Sequence, residues 1–360
     1  MVSNIGRIIF QILAWPFRDD RDNQGNYLKD GISALVCCKD EEYSLKFCLE
    51  SLTHVADQII CVDNGSTDKT LQIMEEFKEG NADGKDITVI DAKGLNLAEA
   101  RNLGLMHVSR KWLLNCGGDF VFHTTGELDA KELFSKLTRT WLRKSFRFGH
   151  VNLWGDLNHT TRLFSVYAVG EYYLVRFNRK VEFVEHGRFD YVKFPRQHLR
   201  LEIDKAVFFH LNSLKSDSRL MYRNCYFDWR ETLSQKSNGD QEPQGLTDFK
   251  WFENKWQRER FNTNDERSVK FRFQRQMAVA HYIKYDPSRY GDYPEVLQRA
   301  LPGDSGRFSV IYWDGEPITR IDKEDQEMLG YQPTQEDLKW DPKRYLRRIL
   351  NEAECQKLGI

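Results

Sequence analysis

The stretch Val62-Asp63-Asn64-Gly65-Ser66-Thr67-Asp68 sets a carboxylate at the end of an apolar run and follows it at once with glycine and hydroxyl side chains. In open α/β sheets ligands bind outside the carboxyl ends of the strands, so Asp63 would stand at the mouth of such a crevice. A carboxylate there accepts hydrogen bonds from a nucleobase or a ribose, and Gly65 permits close approach of the backbone. The same residues also read as a plain strand-to-helix turn with Ser66 or Thr67 as the helix cap. Farther on, Lys215, Arg219 and Arg223 recur every four residues, which lines one helix face with positive charge that either clamps phosphate or meets solvent. Tyr222, Tyr226, Phe227 and Trp229 fall in the same stretch, as a platform for a sugar ring or as helix packing.

The elements that must position these residues follow from hydrophobic periodicity. Ile32 to Cys38 is a continuous apolar run of the length of a strand buried on both faces, and Gln58 to Val62 repeats the pattern. Between them Leu45, Leu49 and Leu52 keep helical spacing over 41–54. The unit recurs with a helix over 67–77, a strand over 87–90, a helix over 97–108 and a strand over 111–114. Alternation of this kind predicts a doubly wound, mostly parallel sheet with helices on both faces. Beyond Asp119 the pattern changes to one helix over 128–143 and β-rich segments around 148–153, 171–177, 181–184 and 206–209, read as a mixed sheet. From Ser218 the chain turns charged and helical, crosses a polar loop over 237–243, and continues helical over 251–285. Asp286-Pro287, Tyr293-Pro294 and Asp341-Pro342 break the tail into short helices.

Composition narrows the partners. With 53 basic and 54 acidic residues the net charge is −1, so no global field recruits nucleic acid or an anionic membrane. The cysteines are odd in number, four of the seven lie in apolar runs, and none forms a Cys-x-x-Cys pair, which points to small hydrophobes in a reducing, cytoplasmic setting rather than a zinc site. The apolar segment from Ile8 to Trp15 is too short to span a bilayer. Residues 5–17 are expected to pack onto the domain or to lie on a membrane as a peripheral amphipathic segment.

Four ordered pieces carry a resemblance. Val36-Cys37-Cys38-Lys39-Asp40-Glu41-Glu42 followed by Ile60 to Asp68, then Ala98-Glu99-Ala100-Arg101-Asn102-Leu103-Gly104, then Trp112 to Phe120 with Gly117-Gly118-Asp119, resemble the start of the family 2 glycosyltransferases of the GT-A fold. The resemblance covers about residues 32–122. It implies a GT-A-like catalytic domain over 31–215, with a nucleotide-binding half over 31–122 and an acceptor half over 123–215. A short extension over 1–30 precedes it and a mainly helical one over 216–360 follows. It also implies a nucleoside diphosphate sugar as donor, held by Cys38, Asp40, Asp63, Gly65 and Gly118. Arg101 would grip the base or diphosphate through its planar fork, with Lys215 closing on the phosphates.

The metal motif departs from the family pattern, because Gly117 stands where the first of two carboxylates is usual. Asp119 remains as a hard oxygen ligand for a divalent cation, and the resemblance implies a second ligand in His210, a pair that suits Mn²⁺ slightly better than Mg²⁺. An inverting transfer also needs a general base for the acceptor hydroxyl. Glu185 is the first candidate, in a Glu-His order where relatives carry His-Glu, and Asp190 and Glu182 are substitutes. The resulting expectation is an enzyme that moves a sugar to a hydroxyl of a glycan, lipid-linked carrier or protein. A degenerate sugar-nucleotide-binding scaffold is the alternative that Gly117 favours. A sugar nucleotidyltransferase fits less well, because Lys39-Asp40-Glu41-Glu42 is not a glycine-rich basic loop.

Overall fold

In a computed structural model, the chain is described at residues 4–13, 20–81, 84–160, 167–187, 189–211, 214–235, 246–281, 283–304, 308–313, 316–322, 330–344, 353 and 356. The polar loop over 237–243 and Cys355 lie outside the described residues. The elements run α1 (Asn4–Leu13), β1 (Lys29–Cys38), α2 (Leu45–Val55), β2 (Gln58–Asp63), α3 (Thr70–Glu79), β3 (Asp86–Asp91), α4 (Leu97–Leu105), β4 (Arg110–Cys116), β5 (Phe120–Phe122), α5 (Ala130–Thr138), β6 (Lys144–Asn152) and β7 (His159–Thr160). They continue as β8 (Tyr167–Arg176), β9 (Glu182–His186), β10 (Phe189–Lys193), β11 (Leu199–His210), α6 (Asp217–Gln235), α7 (Phe249–Phe261), α8 (Glu266–His281), β12 (Ile283–Lys284), α9 (Pro287–Tyr290), α10 (Glu295–Asp304), β13 (Phe308–Trp313), β14 (Glu316–Asp322) and α11 (Gln335–Lys339).

One eight-stranded sheet takes the order β3-β2-β1-β4-β8-β6-β11-β5. The half from β3 to β4 is parallel, β8 runs antiparallel to both neighbours, β11 returns parallel to β6, and β5 closes the edge antiparallel. From Ile32 to Cys38 β1 is buried and, Ser33 apart, apolar, because both faces are covered there. Ala34, Val36 and Cys38 pack with Leu45, Leu49 and Leu52 of α2, Met74 of α3 and Phe134 of α5. Leu35 and Cys37 point to the other face, against Ala98, Ala100 and Leu105 of α4. Gly104 lets α4 sit this close, since a Cβ there would lie 2.4 Å from Leu35 Cδ1.

Several boundaries differ from the periodicity, and three of them have a plain local reason. α3 starts at Thr70 rather than 67, because the hydroxyl of Ser66 and the amide of Thr67 bond the 40–42 loop, and Asp68 accepts from Glu42 N with one oxygen and from Thr70 N with the other. α5 stops at Thr138, ahead of Thr140 and Trp141, whose side chains disfavour helix, and β6 begins at Lys144. The stretch 251–285 breaks at Asn262, which caps α7 in the left-handed conformation with φ 58°. The tail holds the short helices α9, α10 and α11, and also an antiparallel hairpin, β13 with β14, lying beside α8. Tyr285, Tyr293, Val296 and Leu297 bury against Val121, Val151 and Phe209, so the C-terminal segment completes the sheet's core.

α1 packs the reverse of an ordinary surface helix. Its polar side chains face inward: Gln11 Nε2 donates to the carbonyls of Arg143 (3.1 Å) and Gln197 (2.7 Å), Gln11 Oε1 accepts from Arg143 N (2.7 Å), and Arg7 Nη1 donates to His198 O (3.0 Å). Ile5, Ile9, Phe10, Ile12 and Leu13 are exposed.

Candidate active site

The parallel strands converge at their carboxyl ends, and Asp63 is the last residue of β2. Its Oδ2 accepts from the amides of Gly65 (3.1 Å) and Ser66 (3.0 Å), while its Oδ1 is buried with no hydrogen-bond partner. One oxygen therefore closes the turn and the other is left without a partner, while Ser66 and Thr67 cap no helix, since α3 opens at Thr70. Gly65 sits at φ 77°, a conformation that glycine alone takes without cost. Cys38 ends β1 and is buried, which pushes its thiol well above the ordinary range. Asp40, at φ 56°, spends its Oδ1 on Thr67 N at 2.7 Å and Thr67 Oγ1 at 3.2 Å. Arg219 reaches over from α6, with Nη1 2.7 Å from Asp68 Oδ2 and 3.9 Å from Asp40 Oδ1, and ties α6 to the loops after β1 and β2.

The loop after β4 runs hard against β1. A Cβ on Gly118 would lie 2.9 Å from Cys38 Cβ and Sγ, so glycine is required by space. A Cβ on Gly117 would lie 2.5 Å from Asp119 Oδ1, which means that the Asp119 carboxylate occupies the volume a side chain at 117 would need. Asp119 Oδ2 meets His210 Nε2 at 3.1 Å, and His210 Nδ1 lies 3.1 Å from Asn152 Oδ1. Burial raises the Asp119 carboxyl, but His210 and the nearby charges of Lys215 and Arg223 outweigh it and hold it down to about 2. Lys215 Nζ contacts Glu41 Oε1 at 2.5 Å and donates to Lys39 O at 3.3 Å. Ser44 Oγ donates to the second oxygen of Glu41 at 2.8 Å.

Among the described residues, no group of three or more histidine, cysteine and acidic side chains gathers as a complete metal cage. Asp119 and His210 nonetheless fit a cation completed by substrate. Their donor atoms are 3.1 Å apart, and two cis ligands each about 2.1 Å from a metal lie roughly 3 Å apart. A divalent ion of this kind commonly takes one or two protein carboxylates plus phosphate oxygens and water. With Nδ1 turned to Asn152 Oδ1, His210 presents Nε2 to Asp119, where a divalent cation would take the place of the Nε2 proton.

Arg101 lies on the other face of the sheet. Its Nη1 is 3.2 Å from Asp190 Oδ2 and its guanidinium sits 5.1 Å from the centre of the Phe183 ring. Burial lowers the Arg101 pKa, and the charge of Asp190, with smaller contributions from Cys37 and Glu171, together more than restores it. Arg101 Nε and Asp190 Oδ2 are buried without an aligned hydrogen bond, so this pair too is short of a partner. Glu185 lies opposite Asp190 in the β9–β10 ladder, 42% exposed, with Arg230 Nη2 2.6 Å from its Oε1. Glu182 is paired with Lys193 across the same ladder. The structure thus brings Asp119, His210 and Lys215 together and Arg101 with Asp190, while Glu185 stands at the hairpin's surface. Glu41 and Asn152 are the site residues that sequence reasoning missed. Glu41 was in view within the 39–42 loop, but Asn152 pairs with His210 across 58 positions and leaves no local signal.

Residues 33–128 match the family described as glycosyl transferase family 2. No curated protein matches the chain. Among solved structures, S. aureus TarS residues 1–349 in complex with UDP-GlcNAc is 13% identical, with 81% of this chain and 99% of that chain covered at a TM-score of 0.35. The mannosyltransferase PcManGT from Pyrobaculum calidifontis, in complex with GDP-Man and Mn²⁺, is 11% identical, with 83% and 88% covered at a TM-score of 0.39. At such scores neither likeness decides the fold or the chemistry, which rest on the matched residues and on the sheet itself. Those residues run from β1 through β5 and contain Asp63, Arg101 and Asp119, so the match to glycosyl transferase family 2 covers the parallel half of the sheet and the loop that holds Asp119.

Proposed function

We propose that this glycosyltransferase moves a sugar from a nucleoside diphosphate sugar to a hydroxyl of a glycan, lipid-linked or protein acceptor, with inversion at the anomeric carbon. The observation that carries the reading is the 3.1 Å contact of Asp119 with His210, set beside the buried Lys215 and the charge of the half-buried Arg223 on α6. Asp63 Oδ1 accepts from the base or ribose, with Cys38, Asp40, Gly65 and Gly118 shaping the wall around it. Arg101, held by Asp190, and Lys215 supply positive charge to the nucleotide and its phosphates. Asp119 and His210 would hold a divalent cation, Mn²⁺ before Mg²⁺, and such an ion neutralises charge on the departing nucleoside diphosphate.

In the transfer the acceptor oxygen forms its bond to the anomeric carbon as the bond from that carbon to the diphosphate oxygen breaks. A carboxylate takes the acceptor's proton. Glu185 is the first candidate for this role, since it reaches solvent beside Arg230 on the hairpin surface, whereas Asp190 is buried against Arg101. Glu185→Gln is expected to lower turnover about a hundredfold or more while leaving nucleotide affinity unchanged. Full activity in that variant returns the role to Asp190. The cysteines described are free and buried, which supports a reducing, cytoplasmic location. Among the described residues no helix is long and apolar enough to cross a membrane.

The test is incubation with UDP-, GDP- and dTDP-sugars, with and without Mn²⁺, while nucleoside diphosphate release is followed. Release from one donor supports the proposal. Pyrophosphate exchange or binding without turnover contradicts it.

A further inference from the structure

The inverted packing of α1 calls for an occupant of its outer face. Ile5, Ile9, Phe10, Ile12 and Leu13 are between 53 and 72% exposed, and they follow one another around the helix over a broad apolar arc. The arrangement is fixed by the inward hydrogen bonds of Arg7 and Gln11, so the helix cannot turn this arc to the core without breaking them.

The segments that receive those bonds are strongly biased in charge. Residues 139–144 and 193–200 contain Arg139, Arg143, Lys144, Lys193, Arg196 and Arg200 and no acidic residue, in a chain whose net charge is −1. α1 adds Arg7 and no carboxylate. Opposing charge comes from Asp20, near Arg143 at 3.9 Å, from Glu182, on Lys193 at 2.5 Å, and from exposed Glu202 and Asp204 farther along β11. Arg139, Arg196 and Arg200 are exposed, and Trp141 beside them is 42% exposed. An apolar helix arc bordered by arginines and a tryptophan has the composition of a surface that lies in a bilayer interface, where apolar side chains enter the acyl boundary and cations meet headgroup phosphates. A second copy of the chain fits less well. A helix of this length spans about 15 Å, and its few side chains fall short of the roughly 800 Å² per partner that a stable interface buries.

We propose that the outer face of α1, with the basic segments around it, docks the protein on a lipid surface bearing anionic headgroups. Docking there leaves the active site at the other end of β11. α1 touches the chain at His198, just before β11, whereas His210 ends that strand, and 12 residues at about 3.3 Å each put at most roughly 40 Å between them. The contact therefore tethers the enzyme without immersing its site.

The experiment is co-sedimentation of the full chain with vesicles of phosphatidylcholine alone or mixed with phosphatidylglycerol, at low and high salt. The wild-type protein is expected to partition about tenfold more strongly onto the anionic vesicles, and to lose most of this at high salt. Ile9→Glu combined with Leu13→Glu is expected to abolish partitioning with no change in thermal midpoint, since both side chains are exposed. Arg196→Glu combined with Arg200→Glu is expected to weaken it. Equal binding to both vesicle types, or none, overturns the proposal. So does a dimer in light scattering that Ile9→Glu with Leu13→Glu dissolves while vesicles capture nothing.

Discussion

Lys215→Met removes the ammonium that lies 2.5 Å from Glu41, and the consequence for stability can be worked from the structure. Both residues are 8% exposed, so the carboxylate would be left in a site with little water. Removing one partner of a buried ion pair typically costs about 3–5 kcal/mol. Ser44 Oγ still donates to Glu41 Oε2 at 2.8 Å, which argues for the lower end, about 3 kcal/mol. The loss carries a pH signature. Burial already raises the Glu41 carboxyl above its ordinary value, with Lys215 acting against it, so removing Lys215 raises it further. A carboxyl whose folded value is raised destabilises the fold in its charged form, and it ceases to do so once the pH falls below the unfolded value of about 4.3. The penalty of Lys215→Met is therefore expected to be full near pH 8 and to shrink toward pH 4. Urea unfolding of wild type, Lys215→Met, Glu41→Gln and the double variant across that range measures both effects. The double variant should recover most of the loss, since a neutral amide needs no counter-charge. A single-variant loss below about 1 kcal/mol at neutral pH, or a loss that does not vary with pH, would refute the reasoning.

Gly117→Asp restores the carboxylate usual in the family, yet a Cβ there lies 2.5 Å from Asp119 Oδ1. The new side chain is expected to displace Asp119 from His210, so Mn²⁺ affinity read by electron paramagnetic resonance should fall; a rise would show that the site accepts a second carboxylate. Gly104→Ala puts a methyl 2.4 Å from Leu35 Cδ1 and 3.0 Å from Val62 Cγ2, inside a filled core. It should cost about 1–3 kcal/mol and lower the thermal midpoint, and an unchanged midpoint would mean that α4 shifts at no cost.

How much was legible in the sequence depended on how far each residue's partners lie along the chain. β1 and β2 were readable because a strand buried on both faces is one unbroken apolar run, as Ile32 to Cys38 is. The start of α3 was not, because Ser66 and Thr67 are engaged by Asp40, 26 and 27 positions away. Asp119 and His210 were named through the family resemblance, and only the fold brings them across 91 positions into contact. Gly117 reads in sequence as a missing ligand, whereas in space it is the room into which Asp119 turns. Arg101 and Asp190 were assigned to different tasks, and their ion pair follows from the β9–β10 hairpin lying against α4. α1 was legible as an amphipathic segment, but which side it buries depends on carbonyls at 143, 197 and 198 that no periodicity reports.

The account's central claim is that Asp119 and His210 together hold the cation under the donor's diphosphate. Calorimetric titration of Mn²⁺ with nucleoside diphosphate into wild type, Asp119→Ala and His210→Ala tests it most directly. Each substitution is predicted to weaken metal-dependent nucleotide binding about 10- to 100-fold while leaving the weaker metal-free binding in place. Metal-dependent binding that survives both substitutions would contradict the claim.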